Sequence, residues 1–160
     1  MKRHTVGLLA AATLLACRVS AAEFSLLDLP VKDYRVGFAD LWVGKNVDDR
    51  KVLLNGQPCT EYLFSHAPSR VVFDIPPGVT SFSAYGIGTT GDKNVVGTWI
   101  YIVKVDGKEV FQSKPLVDYP TPQIPIQAAI PAGSKEIELI IDHMKNSFCD
   151  HAIWAVPTFH

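Results

Sequence analysis

The chain has 160 residues, 48% of them hydrophobic, with 15 Lys+Arg against 16 Asp+Glu and a formal net charge of −1. That length suits one domain with a substantial core. No basic run follows residue 22, which argues against nucleic acid and anionic membrane surfaces as partners.

Residues 1–22 read as a signal peptide rather than as part of the fold. Lys2, Arg3 and His4 form a basic start, Val6 to Ala16 is an uncharged apolar run, and Ser20-Ala21-Ala22 offers a cleavage site before Glu23. The apolar run falls short of the ~20 residues that a membrane-spanning helix needs. A secreted or periplasmic domain of residues 23–160 is expected. Losing the three basic residues of the leader moves its net charge from −1 to −4. Leu14-Leu15-Ala16-Cys17 also resembles a bacterial lipoprotein box, so the alternative is a chain anchored by lipid on Cys17.

The body reads as an all-β, antiparallel β-sandwich. Tyr34 to Phe38 and Lys51 to Leu54 are short strands, and Asn55-Gly56 marks a turn. Phe64 to Asp74 and Ser81 to Gly88 flank the breaker Pro76-Pro77-Gly78, which reads as strand, tight reversal and strand. The polar stretch His66-Ala67-Pro68-Ser69 would be a loop presented by that pair. Trp99 to Val105, Asp106-Gly107 and Lys108 to Ser113 carry the strongest hairpin signal in the chain. Ile124 and Ile126 alternate with Pro125 and Gln127, and Pro confines such a strand to an edge. Glu136 to Asp142 alternates with Ile137, Leu139 and Ile141 inward, and Ala152 to Phe159 makes the last strand. No window after the leader has a sustained helical period.

Chemistry is sparser than architecture. There is no G-x-S-x-G elbow, P-loop, H-E-x-x-H or dinucleotide fingerprint, so no enzyme is expected. A small hydrolase using His66 and Asp150 as an acid–base pair, or a protein-interaction module on the same fold, stands as the alternative. Asp142 to His151 holds two Asp-His dipeptides and Cys149, but the spacing fits no zinc pattern. The loops carrying His66, Ser69, Asp150 and His151 could lie at one end of a sandwich. Imidazole both donates and accepts, and carboxylate accepts strongly, as sugar hydroxyls require. Trp42, Tyr62 and Tyr119 lie among polar, turn-rich residues and are expected as exposed stacking surfaces. Trp154 alternates with Ala152 and Val156 and is expected in the core. Without the leader only Cys59 and Cys149 remain, and an even count in a secreted chain is read first as a disulfide.

Five blocks in order resemble the NPCBM (novel putative carbohydrate-binding module) family. They are Asn55-Gly56, Phe64 to Ser69, Phe82 to Gly88, Val105 to Lys108 and Asp150 to Ala155. The chain departs from the pattern at Tyr62-Leu63-Phe64-Ser65, where Gly-Ile-Gly usually precedes the His, and at Thr89, where an acidic residue is usual. The resemblance implies a galactose-binding-like jelly roll that binds a glycan, often of galactose type, in association with glycoside hydrolases. It also implies a structural calcium, for which Asp40, Asp48, Asp49 and Asp142 supply oxygen, although no EF-hand-like spacing supports them.

Overall fold

A computed structural model describes residues 23–88, 97–117, 123–144 and 150–160, with the side chains of Asp48 and Val117 set aside. The leader, Thr89, Tyr119 and Cys149 therefore lie outside the described residues. Among the described residues the only helical turns are two short 3₁₀ segments, Leu26–Asp28 and Val47–Asp49, and no helix is long and apolar enough to cross a membrane.

Fourteen strands build the domain among the described residues. They are β1 (Phe24–Ser25), β2 (Asp33–Arg35), β3 (Trp42–Val43), β4 (Leu53–Leu54), β5 (Gln57–Pro58), β6 (Tyr62–His66) and β7 (Ser69–Asp74). After them come β8 (Ser81–Gly88), β9 (Thr98–Val105), β10 (Lys108–Gln112), β11 (Leu116–Val117), β12 (Gln123–Ala129), β13 (Glu136–His143) and β14 (His151–Phe159). The first sheet runs β12-β8-β14-β6-β3, with β1 added to β14; the second runs β10-β9-β13-β7-β2, with β11 added to β9. Every pairing is antiparallel.

The short-range signals act as expected. Asp106 (φ 48°) and Gly107 (φ 76°) turn β9 into β10, adopting the left-handed conformation that such hairpins demand. The Asp106 carboxylate accepts from Lys135 N (2.9 Å) and Glu136 N (3.1 Å), and these bonds hold it below its ordinary range. Pro125 lies in β12, which among the described residues pairs only with β8 and so forms an edge. Ile137, Leu139 and Ile141 are fully buried, as is Trp154.

Two long-range expectations need correction. Pro76-Pro77-Gly78 does not close a hairpin, because β7 belongs to the second sheet and β8 to the first. The segment is a crossover between layers, and so is Ala67-Pro68, which joins β6 of the first sheet to β7 of the second. Both strands are buried nearly throughout, so alternation could not assign either of them to a layer. The strand expected at Tyr34 to Phe38 ends at Arg35, and Phe38 stands in the following loop with 56% of its surface exposed.

The core lies between the sheets. Tyr101 crosses it from β9; its hydroxyl lies 3.0 Å from both Ile87 O and Ile153 O, which share its one proton, and accepts from Ile153 N (3.3 Å). Room for that ring exists because the facing residue is Gly86. A second, smaller cluster covers the outer face of the first sheet. Here Tyr62, Phe64, Ile87, Ile153 and Ala155 are packed beneath Val52, with Trp42, Val47, Leu54 and Cys59 along the margin. Gln123 ties the β4–β5 hairpin to the sheet, accepting from Asn55 N (2.8 Å) and donating to Leu53 O (3.1 Å). That flap covers one part of the outer face, and the functional groups gather beyond it.

Candidate functional site

Strand alternation decides which side chains meet. In β6 Tyr62, Phe64 and His66 point to the outer face and Leu63 and Ser65 inward; in β14 His151, Ile153 and Ala155 point outward and Ala152 and Trp154 inward. His66 and His151 are direct cross-strand partners, and their ring centroids lie 5.1 Å apart at 61°. Phe38 stands edge-on to His66 at 5.4 Å. Behind them Phe64 meets His151 at 6.1 Å and stacks on Trp42 at 5.5 Å and 20°. Lys45 Nζ lies over the Trp42 ring, 5.2 Å from its centroid.

His66 is the best-defined group of this set. Its Nδ1 lies 2.6 Å from Ala67 O, and a carbonyl can only accept, so Nδ1 carries the proton. Burial pushes its pKa below the ordinary 6.5 despite that bond. The neutral ring then offers Nε2 as a fixed acceptor. The loop over it is held by Gly37, whose N donates to His66 O (3.2 Å). A Cβ at Gly37 would meet Ala67 O at 2.6 Å and Pro68 Cδ at 2.7 Å, so only glycine permits this contact. Phe38 reaches His66 because Gly37 sits flush on the Ala67–Pro68 turn.

The other expected site residues divide. His151 joins His66, and Trp42 lies in the same aromatic row, partly exposed. Tyr62 is no exposed stacking surface: it is buried under the flap, its hydroxyl accepts from Asn46 Nδ2 (3.0 Å), and burial raises its pKa. Ser69 faces inward and donates to Ser65 Oγ (3.2 Å). Asp150 is fully buried; its Oδ1 accepts from Thr98 N (2.7 Å) and its O accepts from Ala67 N (3.2 Å). It braces the start of β9 and the turn after His66. Phe38, which was read as a strand end, belongs to the site. Its signal was an aromatic between Gly37 and Ala39, the latter at φ 60°.

The expected Cys59–Cys149 disulfide has one of its partners, Cys149, outside the described residues. Cys59 is a free thiol whose Sγ approaches Glu61 O (3.6 Å), and Glu61 O also accepts from Val156 N (2.8 Å). Cys59 therefore lies at the Ala155 end of β14, whereas Asp150 precedes its other end at His151. At about 3.3 Å per residue, the stretch between 150 and 156 separates them by roughly 20 Å. Among the described residues no three His, Cys, Asp or Glu side chains converge, and the Asp48 side chain is set aside. Asp40 instead accepts from Tyr34 Oη (3.1 Å) and Leu41 N (2.8 Å), Asp49 occupies an exposed left-handed turn, and Asp142 lies beside His143.

Comparison with known proteins places this geometry. The sequence profile of the NPCBM/NEW2 domain matches residues 22–160. The chain belongs to the NPCBM/NEW2 family. No curated protein sequence matches it significantly. Among solved structures, the domain is similar to the CBM51-2 and INT domains of Clostridium perfringens ZmpB (TM-score 0.76, 23% identity), with 86% of this chain and 31% of that one covered. The NPCBM domain thus spans about a third of the ZmpB structure. It is also similar to the CBM51 of C. perfringens GH95 in complex with methyl-galactose (TM-score 0.75, 20% identity, 87% and 100% covered). A third similarity is to the tandem CBM51 modules of a family 98 glycoside hydrolase from Streptococcus pneumoniae (TM-score 0.73, 20% identity, 98% and 52% covered). The fold of this NPCBM domain is accordingly the galactose-binding-like β-sandwich.

Proposed function

We propose that the domain is a non-catalytic carbohydrate-binding module that takes a galactose-type glycan at the His66–His151–Phe38 face. The observation that carries this reading is the tautomer of His66, locked by Ala67 O, which leaves a neutral acceptor nitrogen beside a second imidazole and an exposed phenyl ring. A hexose needs hydroxyl partners on one side and an apolar ring for its C–H face on the other, and these three groups offer both. Membership of the NPCBM/NEW2 family supports the reading, as does the likeness to a module described in complex with methyl-galactose. Catalysis is not assigned: a hydrolase built on His66 and Asp150 would need both in one cleft, and Asp150 is enclosed on the inner side.

A small, shallow contact must offset lost rigid-body freedom, which sets the affinity at about 0.01–1 mM. Titration of residues 23–160 with methyl β-galactoside by calorimetry or NMR tests the assignment. Phe38→Ala and His151→Ala should each weaken binding at least tenfold. Unchanged binding in both variants removes the site, and a blank titration of the parent removes the function. Export as a domain beginning at Glu23 is part of the proposal. It is checked by mass spectrometry of the exported chain, and lipid on Cys17 would refute it.

A further inference from the structure

Three features of the proposed site meet at Ala67. Its O takes the Nδ1 proton of His66 (2.6 Å), Gly37 rests against its carbonyl and carries Phe38, and its N donates to Asp150 O (3.2 Å). The β6–β14 ladder pairs His66 with His151, and one step further along the same register Ala67 stands opposite Asp150. Alternation turns the His151 side chain outward and that of Asp150 inward, where it is fully buried. There the carboxylate crosses between the layers. Its Oδ1 accepts from the N of Thr98 (2.7 Å), the first residue of β9 in the second sheet. Thr98 O in turn accepts from Met144 N, just past the end of β13 (3.0 Å). Asp150 thus fastens Ala67 to two strands of the opposite sheet, from the inner side of the site.

We propose that Asp150 is a positioning residue for glycan binding: it touches no sugar, and by holding Ala67 it fixes the tautomer of His66 and the place of Phe38. The inference rests on the glycan-binding reading above. A neutral imidazole keeps its proton on the nitrogen that is better hydrogen-bonded, so Nε2 stays an acceptor only while Ala67 O remains in reach of Nδ1. The turn has little else to fix that carbonyl, because the next residue, Pro68, has no N–H to donate. The bond from Ala67 N to Asp150 O supplies the hold, and the carboxylate anchors Asp150 itself. Burying a carboxylate is costly unless hydrogen bonds compensate it. A residue that only filled this part of the core would be apolar, like Ala67, Ala152 and Trp154 around it. Without the carboxylate, Asp150 would still offer its O, but from a segment no longer fastened to β9.

The test uses nitrogen-15-labelled protein of residues 23–160. Two-bond correlation of the imidazole nitrogens, recorded without sugar at pH 8, reads the tautomer, and titration with methyl β-galactoside reads binding. The parent should show His66 protonated on Nδ1. Asp150→Ala should give nitrogen shifts averaged between the two tautomers and weaken binding about tenfold, the smaller end of what removing the group that orients a metal-bound imidazole costs. Asp150→Asn keeps an oxygen for Thr98 N and should restore both readings. If Asp150→Ala does not fold, Thr98→Pro removes the donor instead, at the first residue of a strand where proline is tolerated, and should reproduce the change. Gly86→Ala, a core variant on β8 that overpacks Tyr101, controls for lost stability and should leave tautomer and affinity as in the parent. An Nδ1-protonated His66 with parental affinity in Asp150→Ala or Thr98→Pro overturns the proposal, and so do equal losses in Gly86→Ala. A parent that binds no galactoside, with the tautomer still lost in Asp150→Ala, upholds the hold of Asp150 on His66 and overturns the glycan reading instead.

Discussion

Gly86→Ala reverses the usual sign of a glycine replacement. Gly86 lies inside β8, and no left-handed backbone conformation is required of it. Replacing glycine by alanine in such a place ordinarily stabilises by about 0.5–1 kcal/mol, because the unfolded chain loses freedom. Here the added Cβ would lie 2.6 Å from Tyr101 Cε2, 2.8 Å from Cδ2 and 2.9 Å from Cζ. Carbon atoms pack at about 3.5–4.0 Å, so the ring or the strand must move by about 1 Å. Neither moves freely. Tyr101 is fully buried, stands edge-on to Trp154 at 4.8 Å, and has its hydroxyl bonded to the backbone of Ile87 and Ile153. Overpacking of this kind costs about 1–3 kcal/mol, and each strained hydrogen bond adds about 1 kcal/mol. Allowing for the backbone gain, the net loss is about 1–3 kcal/mol, or a fall in Tm of about 5–10 °C for 2 kcal/mol. Urea unfolding should show a lower midpoint at unchanged slope. In a Tyr101→Leu background the cost should shrink, since the clash is removed. A Gly86→Ala variant as stable as the parent, or more so, would refute this account of the cross-core contact.

Acidification should weaken both folding and sugar binding through His66. Its folded pKa is lowered, so the unfolded chain binds the proton first. Stability falls as pH drops from 6.5 through the folded value, and binding to the neutral Nε2 falls as the ring itself protonates. Melting temperature and methyl β-galactoside affinity measured from pH 8 to 5 check this, and flat profiles would contradict it. Asp150→Ala should cost about 1–3 kcal/mol by removing the acceptor of the half-buried Thr98 N, read as a lower unfolding midpoint. Thiol labelling of denatured, unreduced protein of residues 23–160 tests the Cys59–Cys149 bond, which two reactive cysteines per chain would refute. In the native state Cys59 should react slowly at neutral pH, because burial raises its pKa.

Some of the site was legible before folding. Period-two alternation had already assigned Ala152 and Trp154 to the core. The same parity sends Asp150 inward and His151 outward, so the separation of these neighbours was open to sequence reasoning that instead grouped them. Phe38 was less accessible. Its contact with His66 depends on Gly37 resting on a turn about thirty residues later in the chain, and no local pattern announces such a contact.

Local features were readable from the residues alone. The Asp106-Gly107 hairpin, the edge character forced by Pro125 and the inward row Ile137, Leu139 and Ile141 each follow from a few neighbouring residues and the stereochemistry of one strand. That β6 and β7 diverge into different sheets, and that Pro76-Pro77-Gly78 crosses layers, follows from the assembled fold alone. Loop-closure entropy grows only logarithmically with separation, so chain distance barely ranks the available strand partners. The choice among them is made by which pairing buries both faces of β6 and β14 at once, a property of the assembled sheets that no single segment carries.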